Sequence, residues 1–370
     1  MSTQSEFLWY IPNQIDAGHR GDVVSDEHNK LDTLTSHAIA LEKYGWCGAL
    51  LGSGWGRPDT FTVAAALAAR TTTFEPLIAI RPGYWRPANF ASAAATLDEL
   101  TGGRVRVNIV SGQDNLAAYG DSEGDQAQRY ARTKEFMRLV RRLWTEEDVT
   151  FPGEYFAVKD STVLPRIQAR GERRHPRLYF GGASEAAERV SATESDVQLF
   201  WGEPLDDIAA RIDRLRTLSR QLDRDLPPLE FGLRITTLVR DTTEEAWADA
   251  EAKVQQMADR SVDRDHRSWL AVGQQRLLDL QERGDVLDDN LYTAPGKVGG
   301  GGAGTTWLVG SAEDVARSLR KYEALGITHF VLSDTPYLAE IKRQGEQLLP
   351  LLRAPEDSLR GAREPEGVLK

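Results

Sequence analysis

Residues 177–201 read RLYFGGASEAAERVSATESDVQLFW, in which two short apolar runs flank a glycine turn and a segment of helical character. The runs at 177–181 and 197–201 have the length and composition of buried β-strands. Between them, a helix is expected to start at Glu185, directly after the turn GGAS at 181–184. The stretch therefore predicts a strand, a helix and a second strand in succession, which is the repeating unit of parallel α/β folds.

The same alternation continues from the first residues to beyond position 330. Apolar runs predict eight strands, at 7–12, 47–52, 76–81, 105–111, 177–181, 197–201, 231–239 and 329–333. Apolar residues spaced three and four apart predict helices between them, at 32–44, 59–69, 87–100, 129–144, 205–222 and 312–325. Eight such units without a break in composition favour an α/β fold that closes into a (β/α)8 TIM barrel over an open sheet. We expect one domain over residues 1–370.

Two stretches interrupt the alternation and are interpreted as insertions. Residues 150–175 are expected to form a hairpin excursion, and residues 259–304 contain GDVLDDN and the glycine run GGGGAG. The second insertion precedes the last strand, where barrel enzymes place loops over the mouth of the active site. We interpret it as a lid, and an oligomerisation arm or a disordered excursion is the alternative.

Composition excludes several classes of function. The chain has 370 residues and a net charge of −11, which argues against a nucleic-acid surface because phosphate binding needs an excess of Lys and Arg. No secretory leader or apolar run of transmembrane length is visible, so a cytoplasmic protein without a membrane partner is expected. One cysteine and six scattered histidines provide no spacing typical of a metal site, so no metal is expected.

Chemistry in a TIM barrel takes place where the strands end at their carboxyl side. The turn 181–184 directly precedes a predicted helix, so its backbone N–H groups could hold a phosphate, although glycines also serve simple turn geometry. Asn108 lies inside the apolar run VRVNIVS, where an amide is costly unless it is paired. Asn108 therefore either binds a cofactor or bonds the barrel backbone.

Several stretches closely resemble the FMNH2-dependent alkanesulfonate monooxygenases of the luciferase-like flavin monooxygenase superfamily, over nearly the whole chain. The matching stretches are AATLDELTGGRVRVNIVSG (94–112), YFGGASEAA (179–187), FWGEP (200–204), FGLRI (231–235), VRDTTEEAW (239–247), VGQQR (272–276), GGAGT (301–305) and ALGITHFVLS (324–333). The resemblance implies a TIM barrel that uses reduced FMN and O2. It also implies a separate NAD(P)H-dependent flavin reductase, a small-molecule substrate and a homodimer or homotetramer.

The resemblance also implies roles for individual residues. Asn108 and Ser111 match positions that line the isoalloxazine ring of the flavin. Residues that match the phosphate contacts are Tyr130, Gly182, Ala183 and Ser184. Because the chain has no GxGxxG following a strand, a nicotinamide site is not expected in it.

On the substrate side, Trp201 and Arg234 match the tryptophan and the catalytic arginine of the sulfonate enzymes. Arg234 lies inside an apolar strand, so it needs an anionic partner. That partner is either an anionic substrate or a carboxylate of the chain, Glu203 or Asp114. Arg57 could supply a second cation for the substrate, or it is a solvated arginine at the rim.

Five positions depart from the pattern of the resembled enzymes. Gln14, Arg57, Thr236, Gly300 and Thr335 stand where those enzymes have histidine, cysteine, histidine, arginine and tyrosine. The loss of a histidine acid/base would leave that work to the flavin or to a carboxylate such as Asp114. The expected function is sulfonate-type desulfonation or a related oxygenation of a small anionic compound, and linear alkanesulfonates are doubtful as substrates. The alternatives are a deazaflavin (F420)-dependent oxidoreductase and a flavin-binding relative without activity.

Overall fold

A computed structural model describes residues 5–13, 30–112, 115–121, 125–168, 173–260, 272–299 and 304–354. The strands in these ranges are β1 (Glu6–Ile11), β2 (Gly48–Leu51), β3 (Glu75–Ile80), β4 (Arg106–Ile109), β5 (Val149–Pro152), β6 (Ala157–Ser161), β7 (Leu178–Phe180), β8 (Val197–Trp201), β9 (Glu230–Arg240), β10 (Val286–Leu287), β11 (Leu291–Tyr292), β12 (Trp307–Ser311) and β13 (Ile327–Ser333).

The helices alternate with the strands along most of the chain. They are α1 (Leu31–Lys43), α2 (Thr60–Ala68), α3 (Pro87–Leu100), α4 (Gln126–Thr145), α5 (Glu185–Glu194), α6 (Leu205–Gln221), α7 (Thr243–Arg260), α8 (Val272–Arg283), α9 (Pro295–Gly299), α10 (Ala312–Leu325) and α11 (Tyr337–Arg353). A 3-10 turn covers Ala117–Tyr119. None of the helices in the described ranges combines the length and the apolar character that a membrane span requires.

Eight parallel strands close into a barrel in the order β1, β2, β3, β4, β7, β8, β9 and β13, and β13 pairs with β1. These are the eight strands predicted from the apolar runs, so the expected (β/α)8 TIM barrel is confirmed. Because the strands are parallel, the carboxyl ends of all eight meet at the same end of the barrel.

Most of the buried apolar side chains fill two separate layers. Inside the barrel, the buried side chains of Leu8, Leu77, Tyr179 and Leu199 belong to one compact group. A much larger core lies between the outer face of the strands and the helices, with Phe136 among its members. Side chains alternate along each strand, so neighbouring residues belong to different layers. A polar residue on an inward position therefore points to the axis of the barrel.

Helix α10 shows how local sequence sets the bounds of an element. Its N-cap Ser311 accepts a hydrogen bond from the Asp314 N–H at 3.2 Å. It ends at Gly326, whose φ of 107° is in the left-handed region that favours glycine. The predicted bounds, 312–325, agree with the structure because both ends are determined by cap residues.

The two stretches that interrupt the alternation contain regular structure of their own. Strands β5 and β6 form an antiparallel hairpin between α4 and β7. In the second stretch lie α8, β10, β11 and α9, while residues 261–271 and 300–303 lie outside the described ranges.

Strand β12 was not predicted from the sequence. Its five residues lie between a glycine run and a helix, where an apolar run is hard to recognise. It pairs in parallel with the second half of β9, from Thr236 onward, and continues antiparallel into β11 and β10. The sheet is therefore extended beyond the barrel at the carboxyl end of β9.

Candidate active site

A cavity of about 570 Å³ opens at the carboxyl ends of the barrel strands. Nine of the residues predicted for the site line it: Arg57, Asn108, Ser111, Tyr130, Gly182, Ala183, Ser184, Trp201 and Arg234. Asp114, the tenth predicted residue, lies outside the described ranges, as do Gln14 and Gly300. The fold therefore brings to one cavity residues that lie far apart in the sequence.

Asn108 places an amide in the wall of this cavity. Its neighbours Val107 and Ile109 pack in the outer core, so the side chain of Asn108 is directed inward. The residue is 8% exposed, and Oδ1 has no hydrogen-bond partner among the described residues. A buried carbonyl oxygen without a donor costs about 1–3 kcal/mol. A donor from a bound molecule would remove that cost.

Ser111 connects the end of β4 to α4. Its hydroxyl lies 2.5 Å from that of Thr133, which donates to the Arg129 carbonyl at 2.8 Å. Arg129 and Tyr130, in the first turns of α4, line the cavity as well. The first turns of α4 are thus connected to the end of β4 through the Thr133 hydroxyl.

The turn 181–184 runs along another wall and leads into α5. Ser184 caps the helix, because its hydroxyl accepts a hydrogen bond from the Ala187 N–H at 3.2 Å. A Cβ added to Gly182 would come within 2.4 Å of the Ala187 Cβ, so glycine is required for this close approach. Residues 181–184 line the cavity, and the N-terminus of a helix carries a partial positive charge and N–H groups without intrahelical partners, which favours an anion there.

Arg234 provides a buried cation in the cavity. It is 3% exposed, and Nη1 donates to the Ile235 carbonyl at 3.0 Å and to the Val331 carbonyl at 3.4 Å. Its Cζ lies 4.4 Å from the centroid of the Tyr10 ring. Trp201 lies directly opposite Arg234 in the pairing of β8 with β9. The arginine and the tryptophan are therefore neighbours in the same wall.

Arg57 reaches the cavity from the end of β2. Nη1 donates to the Pro12 carbonyl at 2.9 Å, and the residue is half-buried. A Cβ added to Gly52 would lie 2.8 Å from the Tyr10 hydroxyl and 3.0 Å from Arg57 Nη1, so these two groups approach the same point. Arg57 therefore lies close to the Tyr10 and Arg234 side of the cavity.

Thr236 and Thr335, which differ from the residues of the resembled enzymes, form hydrogen bonds within the protein. Thr236 Oγ1 donates to the Gly304 carbonyl at 3.3 Å. The carbonyl of Thr335 accepts from Lys253 Nζ at 2.7 Å. Both residues are buried, and both bonds connect the barrel to segments beyond it.

A buried group of ion pairs adjoins the cavity and was not predicted from the sequence. Arg211 pairs with Glu203 and lies 3.2 Å from Glu188, and Arg276 Nη2 lies 2.7 Å from Glu203. Glu203, a candidate partner of Arg234, is thus paired with two other arginines. One signal was available: Arg211 lies on the apolar face of α6, in line with Ile208 and Leu215.

Several solved structures share this fold. A riboflavin lyase (RcaE) solved with modified FMN and riboflavin is 20% identical with a TM-score of 0.74, over 95% of this chain and 91% of its own. A long-chain alkane monooxygenase (LadA) is 17% identical with a TM-score of 0.74, over 99% and 94% of the two chains.

An F420-dependent secondary alcohol dehydrogenase, solved with an F420–acetone adduct, has the same fold. Its TM-score is 0.68 at 16% identity, over 95% of this chain and 100% of its own. These identities are low, so the likeness concerns the fold, which serves enzymes with two different cofactors. The model of the luciferase-like monooxygenase family matches residues 5–329. The chain belongs to the luciferase-like monooxygenase family.

Proposed function

We propose that this protein is an FMNH2-dependent monooxygenase that uses O2 on a small anionic organic substrate. The observation that carries the proposal is the division of one cavity into three regions of different chemistry. Asn108 provides a buried acceptor without a partner among the described residues, the turn before α5 favours an anion, and Arg234 provides a buried cation. A flavin mononucleotide together with an anionic substrate needs these three kinds of contact.

The residues present fit the cofactor. Asn108 and Ser111 would contact the flavin ring, and Oδ1 of Asn108 would accept a hydrogen bond from a ring N–H. The phosphate would be held by Tyr130 and by the residues of the turn, Gly182, Ala183 and Ser184. Reduced FMN supplies the activation of O2, while the protein orients the flavin and keeps water away from it.

The substrate end of the cavity combines charge with apolar surface. Arg234 and Arg57 would bind an anionic group, because a guanidinium binds sulfonates and carboxylates in the same two-point geometry. Trp201, Met257 and Val272 provide apolar surface for the remainder of the molecule. Asp114 is proposed for acid/base work. Desulfonation or a related oxygenation is the reaction class that these contacts favour.

Reduced flavin would come from a separate NAD(P)H-dependent reductase, since the chain has no GxGxxG following a strand. A homodimer or homotetramer remains a prediction. The second candidate is a deazaflavin-dependent oxidoreductase, which is supported by the fold shared with the F420-dependent alcohol dehydrogenase.

One titration tests these functions against each other. The purified protein is titrated without oxygen with reduced FMN, FMN and reduced F420, and binding is followed by protein fluorescence. Oxygen is then admitted while the flavin spectrum is recorded, with sulfonates, sulfones and carboxylates as trial substrates. We expect reduced FMN to bind most tightly and oxygen to be consumed with formation of product.

Other outcomes of the titration would identify the alternatives. Tight binding of F420 alone would replace the proposal by the second candidate. Tight FMN binding with reoxidation that no trial substrate alters would indicate a flavin-binding protein without oxygenase activity.

A further inference from the structure

A chain of buried ion pairs connects the turn before α5 to helix α8. Arg211, which is 2% exposed, lies between the carboxylates of Glu188 and Glu203. Glu203 also accepts two hydrogen bonds from Arg276 of α8, at 2.7 and 3.2 Å. Burial of these charges is tolerated only because each of them is paired and hydrogen-bonded.

Arg211 also holds the turn directly. Its Nη2 donates to the carbonyl of Gly182 at 2.9 Å, and its Cζ lies 4.7 Å from the centroid of the Phe200 ring. The guanidinium is therefore fixed on one side by the two carboxylates and on its face by an aromatic ring. A rigid donor that bonds the Gly182 carbonyl restricts the directions in which the N–H groups of the same turn can point.

The ion pairs around Arg211 also leave a net positive charge. Arg214 Nε lies 2.6 Å from Glu188, so three arginines accompany two glutamates and one net positive charge remains. Arg211 itself lines the cavity, beside Gly182 and Ser184. A positive charge at this position favours an anion at the N-terminus of α5.

We propose that Arg211 is the positioning residue of the phosphate site, and that Glu203 links this site to α8. The inference rests on the proposed FMN function and deepens it. Arg211 fixes the orientation of the turn 181–184 through the Gly182 carbonyl, and it needs no direct contact with the phosphate. Replacement of Arg211 should therefore lower the affinity for a flavin that carries a phosphate group and leave the affinity for one without it nearly unchanged.

The test compares two flavins that differ only in the phosphate. Dissociation constants of reduced FMN and reduced riboflavin are measured without oxygen for the unmodified protein and for Arg211→Met. We expect the variant to bind FMN about tenfold to a hundredfold more weakly, as for loss of a hydrogen bond from a charged group. Riboflavin binding should change by less than about threefold, because riboflavin makes no phosphate contact.

Arg214→Met is the matched control. Arg214 lies on the same helix and pairs with the same Glu188, and both of its hydrogen bonds to the described residues go to that carboxylate rather than to the turn. Arg214 is 45% exposed, so solvent screens its charge, and this variant should keep most of the preference for FMN over riboflavin. Arg211→Lys retains the charge and should recover part of the preference, and it replaces Arg211→Met if that variant does not fold.

The outcomes separate the two proposals. If the unmodified protein binds riboflavin as tightly as FMN, the phosphate site of the proposed function is wrong. If the unmodified protein prefers FMN and the Arg211 variants keep that preference in full, the positioning role of Arg211 is overturned. Equal weakening of both flavins would also overturn it, since that result indicates a general loss of structure.

Discussion

Among single residues, two buried asparagines illustrate how structural and functional amides differ. Asn290 is satisfied within the protein: its Nδ2 donates to the Val309 carbonyl at 2.9 Å, and its Oδ1 accepts from Ser318 at 2.6 Å. Asn108 lines the cavity with an Oδ1 that has no partner among the described residues. The first amide connects the turn before β11 to β12 and α10, whereas the second costs free energy until a ligand binds.

This contrast predicts that leucine has different effects on stability and on flavin affinity at the two positions. Asn108→Leu should leave the free energy of unfolding of the unliganded protein unchanged or raise it by about 1 kcal/mol, because a costly buried acceptor is removed. The affinity for reduced FMN should fall about tenfold. Denaturant unfolding and anaerobic fluorescence titration measure the two effects.

Asn290→Leu serves as the control for that experiment. It should destabilise the protein by about 1–3 kcal/mol, since it leaves the Ser318 hydroxyl and the Val309 carbonyl without their partner. Flavin affinity should not change. An Asn108 variant that is destabilised as strongly and binds FMN normally would show that Asn108 is a structural amide.

Among the elements, helix α8 is attached to the barrel at the mouth of the cavity. A Cβ on Gly273 would lie 3.3 Å from the Trp201 ring, so the first turn of α8 packs closely on that side chain. Arg276 binds Glu203, and Arg283 Nη1 lies 2.6 Å from Asp207. Helix α8 therefore lies at the substrate end of the cavity. One half-buried and one exposed ion pair attach it to the barrel.

Arg276→Met should loosen α8 with little effect on the fold. We expect faster amide hydrogen exchange throughout α8, and a change of less than about 1 kcal/mol in the free energy of unfolding, because Arg276 is itself partly exposed. In the proposed reaction, a larger fraction of the reduced flavin should be oxidised without forming product.

Arg283→Met is the comparison for α8, since it removes the more exposed pair of the same helix. It should leave hydrogen exchange in the first turns of α8 unchanged. Equal exchange rates in α8 of the Arg276 variant and the unmodified protein would contradict the attachment through Glu203.

In the molecule as a whole, charged residues close the end of the barrel opposite the cavity. We call the following residues the basal cluster: Glu6, Glu75, Arg106, Arg177, Tyr179, Glu230 and His329. Arg106 pairs with Glu6 and Glu75, and it donates to the Tyr179 hydroxyl at 2.8 Å. His329 Nε2 lies 2.7 Å from Glu230. The cluster connects six of the eight barrel strands.

The basal cluster predicts how stability depends on pH. Burial alone would raise the pKa of the Glu6 carboxyl, but the hydrogen bond from His329 and the charges of Arg106 and Arg177 hold it well below its ordinary value of 4.5. A lowered pKa means that Glu6 stabilises the fold fully above pH 4.5, and that this contribution is lost as the pH falls further.

Glu6→Gln should therefore destabilise the protein by about 3 kcal/mol at pH 7, as expected when a buried ion pair loses one partner. The difference in the free energy of unfolding between the variant and the unmodified protein should shrink as the pH is lowered below 4.5. Urea unfolding at several pH values measures this free energy. Glu346→Gln, on the exposed side of α11, is the control and should have no such effect. A constant difference at all pH values would contradict the assignment.

The barrel and most of its cavity follow from the sequence alone. Apolar runs of strand length must be buried, and eight of them separated by helices have few ways to be buried other than a closed parallel barrel. Because the carboxyl ends of parallel strands meet, Asn108, Ser184 and Trp201 could be assigned to one site from their positions near strand ends. Arg234 lies inside β9, and its assignment came from the resemblance to the sulfonate enzymes. Cap residues determine the bounds of α10 in a similar way, since their interactions are local.

Which charges meet depends on the tertiary structure. Arg211, Glu203 and Arg276 lie on α6, after β8 and on α8, and nothing in their spacing indicates that they form one buried cluster. The pairing of β12 with β9 was equally invisible, because a strand of five residues is identified by its partner rather than by its own pattern. Local sequence specifies periodicity and caps, whereas ion pairs between distant elements depend on the packing of the whole barrel.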